Sequence, residues 1–113
     1  MRLSVVPSRF AIEHLPEATF PEDDEWIALV RAPEGLTVIR DAPPWVEEKW
    51  VGFYGTAHEL DAPGVLAGLI TPLAESKIPV FVASTFHADL VLVPESKLEA
   101  ATASLVDAGH RVG

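Results

Sequence analysis

The stretch from Trp50 to the C-terminus constrains the fold most, because two helix-period stripes alternate there with short apolar runs. Val65, Leu66, Leu69, Ile70 and Leu73 recur at the 3.6-residue period and predict a helix over residues 65–75. Pro72 falls inside it, where a missing amide hydrogen kinks a helix or removes one backbone bond. Residues 79–83, PVFVA, read as a nearly all-apolar strand buried on both faces or nearly so, and residues 89–93 as its partner. Pro94 can open a second helix, since a fixed φ and no N–H do no harm at a first helical position. Leu98, Ala101, Leu105 and Ala108 form the stripe of that helix, Gly109 suits its C-terminal cap, and residues 110–112 read as a last strand. With a strand starting at Trp50 and ending at Tyr54 or Thr56, the order is β-α-β-β-α-β. That order predicts an α+β, ferredoxin-like fold: a four-stranded antiparallel sheet with both helices on one face.

The first 48 residues read differently. Leu3 to Val6 is β-rich and stops at Pro7; residues 10–15 fit either a short strand or a helical turn. Pro16 and Pro21 keep residues 17–25 out of a helix. WIALVR and LTVIR flank APEG, and Gly35 can take a positive φ there, so they predict a hairpin that extends or pairs with the later sheet. Pro43 and Pro44 then break the chain. The organisation expected is a β-rich unit over residues 1–48 and a βαββαβ unit over residues 49–113.

Composition excludes several chemistries. The chain has 113 residues, a usual size for one domain, and 49% of them are hydrophobic. Seventeen acids against eight bases leave a formal charge of -9, a surface that repels a phosphate backbone, so no nucleic-acid partner is expected. Much of the acid is local, in PEDDEW and WVEEKW, which read as solvated turns. Without cysteine there is no disulfide, thiolate nucleophile or cysteine zinc site, and a cytoplasmic location fits. Pro7, Ser8 and Arg9 interrupt any signal-peptide core, and no apolar run approaches the ~20 residues of a membrane span. His14, His58, His87 and His110 show no metal-ligand spacing, so no metal and no cofactor are expected. Nor is there a G-x-S-x-G elbow, a phosphate-binding glycine loop or a patterned carboxylate pair, and no catalytic residue is expected.

The stretches GVLA, PLAE, IPVF, STFHAD and LVLVPESKLE resemble an ACT domain of the kind in CASTOR-type cytosolic arginine sensors and their small bacterial relatives. LSVVPSRFAI with WIALVRAPEGLTVIRD is similar to the shortened first ACT unit that precedes it there, so the resemblance spans nearly the whole chain. It implies a non-enzymatic regulatory module that binds an amino acid and pairs with a second copy. The ligand would meet the loop before the first helix and the segment between the two central strands. Carried over by position, those are Asp61, Gly64, Val65 and Leu66, then Thr85, Phe86 and Asp89; residues 54–56 match more loosely. This chain holds one such half, whereas the eukaryotic sensors hold two.

Each feature has a plainer reading. Asp61 or Gly64 can simply cap the helix. Asp89 can be an exposed turn residue, and Ser84 and Thr85 can bond back to their own turn. Against amino-acid sensing stands a second class of function, a dimerisation or docking module with no small ligand.

Overall fold

The structure, a computed structural model, describes residues 1–17, 20–21, 25–55 and 63–113. Among these residues, seven strands and two helices follow in the order β1 (Arg2–Leu15), β2 (Trp26–Ala32), β3 (Gly35–Asp41), β4 (Trp50–Gly55), α1 (Val65–Glu75), β5 (Phe81–Val82), β6 (Leu90–Pro94), α2 (Leu98–Asp107) and β7 (Arg111–Val112). A single 3-10 turn, Glu95–Lys97, joins β6 to α2, so Pro94 ends a strand instead of opening the helix directly. The strands form one sheet in the order β2-β3-β1-β4-β6-β5, with β7 on β1. Its ladders are antiparallel except β1 with β7.

The β4-α1-β5-β6-α2-β7 segment has the expected ferredoxin-like order, with one rearrangement. In a lone βαββαβ unit the last strand lies beside the first. Here β1 takes the place next to β4, and β7 pairs with β1 through Arg2↔Arg111 and Leu3↔Val112. The first half of β1 thus belongs to the ladder of the helical unit, while Phe10–Leu15 pairs with β3.

Pro7 does not stop the strand. Between Val5 and Arg9 the register against β4 shifts: β1 advances four residues while β4 moves back two, from Phe53 to Val51. The opposite edge of β1 is taken by β7 at residues 2–3 and by β3 from residue 10 onward. Pro7 therefore sits in a bulge, where a residue without N–H breaks no ladder. The hairpin forms as expected, with Gly35 at φ 134; a Cβ there would lie 2.3 Å from the Leu15 carbonyl oxygen. The β5 strand is shorter than expected. It is a half-buried edge of two residues, not a central strand buried on both faces.

Both helices cover one face of the sheet. Leu69 and Leu73 of α1 and Ala101 and Leu105 of α2 pack with Leu3, Val51, Phe53, Val91 and Val93. Each large apolar side chain buried here stabilises the fold by about 1.5–3 kcal/mol. On the other face a second cluster joins Phe10, Ile39, Leu90 and Leu92, with no helix residue among those described. Gly52 lies beneath it: a Cβ would meet Leu90 Cδ1 at 2.9 Å and Phe10 Cε2 at 3.2 Å. The missing side chain is the space into which those neighbours lean.

Candidate functional site

Register places the end of β4 and the β5–β6 connection at the same end of the sheet. Tyr54 pairs with Leu90, and one step further the Gly55 amide donates to the Asp89 carbonyl at 2.8 Å. Leu3, near the start of β1, pairs with Gly55 from the other side. The β5–β6 connection and the end of β4 therefore meet here, and α1 starts after the connection that leaves Gly55. A Cβ at Gly55 would press on Met1 Sδ at 3.2 Å, while the Asp89 carbonyl oxygen would lie at an ordinary 3.6 Å.

The polar segment between β5 and β6, here called the notch, is a tightly bonded turn. The Thr85 amide donates to the Ala88 carbonyl at 2.8 Å. The Thr85 hydroxyl also donates to that carbonyl at 3.2 Å and accepts from the Ala88 amide at 3.0 Å. Ser84 Oγ donates to Asp89 Oδ1 at 2.6 Å. Asp89 is 3% exposed, so it is a buried carboxylate at the foot of the turn and not the exposed residue its position suggests. Phe86, by contrast, is 67% exposed at the tip and packs edge-on against the His87 ring, with centroids 4.7 Å apart. One apolar ring in solvent and one carboxylate beneath it make a two-sided feature.

On the helix side, Gly64 is the N-cap, with φ 81, and the Gly68 amide bonds its carbonyl at 3.1 Å. Among the described residues no side chain caps this end, and the first turn carries no acid. The amides of the first turn have no intrahelical acceptor, and the helix dipole adds partial positive charge there. Val65 and Leu66 are half-buried, and Leu66 packs on the helix-side core, so these two offer backbone more than side chain. Asp61 and Thr56 lie outside the described residues.

One residue that composition did not single out organises this end. Pro72 does not break α1, but it leaves the Gly68 carbonyl without its i+4 donor. His110 supplies one: its Nε2 is 2.8 Å from that oxygen. A carbonyl only accepts, so Nε2 carries the proton. The His110 amide bonds the Leu105 carbonyl and the Arg111 amide bonds the Met1 carbonyl, so the ring ties α1 to the start of β7 and to β1. The sequence signal was Pro72, which announces an orphan carbonyl but not the residue that fills it. Among the described residues no group of three or more histidine or acidic side chains gathers as a metal site, and no helix is long and apolar enough to cross a membrane.

A family model for the ACT domain matches residues 46–107, more than half of the chain. No curated protein matches. Among solved structures, a protein of Agobacterium tumefaciens is similar, with a TM-score of 0.82 and 24% identity over 99% of this chain and 91% of that one. A protein of unknown function from Vibrio cholerae gives 0.75 and 23%, over 91% and 85%. The aspartokinase alpha and beta subunits give 0.69 and 13%, over 96% and 97%. At these identities the likenesses speak to the fold.

Proposed function

The chain belongs to the ACT domain family, and on that premise we propose that it is a regulatory module that binds a free amino acid and acts through pairing with a second copy. What supports this reading is the first turn of α1, where the N-cap Gly64 makes no side-chain bond, together with the buried Asp89 carboxylate beside the end of β4. A ligand carboxylate suits the amides of Gly64, Val65 and Leu66. A ligand ammonium suits Asp89, reached past Thr85, with Phe86 covering the apolar part. Asp61 completes the set on the sequence argument alone. The finer likeness to the arginine-sensor type, a cytoplasmic setting and the lack of catalysis are part of the same proposal. A ligand shared between two copies favours one pairing geometry over others, which is how binding without chemistry regulates.

One observation favours the rival reading, a pairing module with no ligand. The Thr85 hydroxyl is already used within its own turn, and Ser84 already occupies Asp89 Oδ1. Calorimetric titration with the twenty amino acids separates the two. Saturable heat with one or a few of them, lost on substituting Asp89→Asn, supports the sensor. No heat with any of them, while sedimentation still shows a dimer, supports the pairing module.

A further inference from the structure

At the sheet end opposite the notch lies a concavity, and we propose that it binds a small organic cation: an ammonium or guanidinium group carried on an apolar body. The depression measures about 480 Å3, within the range of small-molecule sites. Trp50 on β4 pairs with Pro94 at the end of β6, and Pro79 lies two residues before β5. All three rings line the depression. Prolines contribute no N–H, so the floor is apolar and its one aromatic face is the half-buried Trp50, the best side chain for holding a cation by its ring.

The walls decide the sign of the ligand. Glu47 and Glu48 are exposed and make no ion pair among the described residues. Glu95 is already paired, its Oε2 being 2.7 Å from Arg9 Nε. The basic residue of the lining, Lys49, is tied down by donating to the Val46 carbonyl at 2.8 Å. The Glu95 amide donates to the Lys49 carbonyl at 2.9 Å, so the floor and this wall are joined through the backbone. Two carboxylates against the one Lys49 ammonium leave the lining net negative beside an indole, on a chain of charge -9, and that balance favours cations over anions. This site shares no residue with the notch, so either reading can fail alone.

The test is a titration of the 15N-labelled full chain at physiological salt with phenethylammonium and with n-butylguanidinium, using 2-phenylethanol as the neutral control. The Trp50 indole resonance, assigned by Trp50→Phe, and the amides of Lys49 and Ser96 are expected to shift and saturate with the cations. The alcohol is expected to shift them several-fold less. The double substitution Glu47→Gln and Glu48→Gln, at exposed positions that keep the fold, is expected to weaken binding about three- to tenfold. An equal response to the alcohol overturns the proposal. So does unsaturable drift spread over the other acidic residues, which is counterion binding only, and so does a silent Trp50 indole at tens of millimolar cation.

Discussion

The His110–Gly68 bond gives a prediction that isolates one backbone carbonyl. Substituting His110→Phe keeps a ring of similar size between α1 and β7 but removes the donor. The Gly68 carbonyl then has no protein partner, because Pro72 cannot supply one. Gly68 is exposed, so water replaces part of the lost bond, and the cost is the net value of a hydrogen bond, about 0.5–1.5 kcal/mol, not a full desolvation penalty. Substituting Pro72→Ala restores an N–H at the i+4 position, and the helix then satisfies Gly68 itself. In that background His110→Phe is expected to cost close to nothing. The coupling in the double-mutant cycle is therefore about 1 kcal/mol, or roughly 4 °C in Tm for a chain of this size. Urea unfolding of the four variants, with a common slope, measures it. Equal loss from His110→Phe in both backgrounds refutes the reasoning, because the ring would then act through packing and not through the orphan carbonyl.

Three further outcomes follow from the packing. Ser84→Ala removes a charge-assisted bond to a buried carboxylate and is expected to cost about 1.5–3 kcal/mol, read by chemical unfolding. Gly52→Val places side-chain atoms where Leu90, Phe10 and Leu92 already sit, with an expected loss of about 1–3 kcal/mol and shifted Phe10 ring resonances. A fragment of residues 49–113 lacks β1, the strand between β4 and β7; it is expected to show poor amide dispersion, and a well-dispersed spectrum would contradict the role given to β1.

Both helices were legible in the sequence because their stripes are local: Leu69, Leu73, Ala101 and Leu105 are buried as the period required. The hairpin was legible because only glycine suits φ 134 at residue 35. The continuity of β1 was not, because a proline's cost depends on whether a neighbour needs its N–H, and the neighbours of Pro7 are set by β3, β4 and β7. The β5 run is apolar enough for a central strand, yet its place at the edge is decided by topology alone. At the candidate site the turn residues were visible as polar types in STFHAD. The burial of Asp89 was not, since it depends on the strands that lie beside β6 and not on the local sequence. His110 carried no local signal, for its partner lies 42 residues away.

The central claim is that a zwitterion is held between the opening of α1 and the β5–β6 turn. Its most direct measurement is an amide-shift map of the labelled full chain titrated with whichever amino acid gives calorimetric heat. The account predicts saturable shifts centred on Gly64, Val65, Leu66, Thr85, Phe86 and Asp89. Saturable shifts confined to another part of the sheet, with these six unmoved, would contradict it.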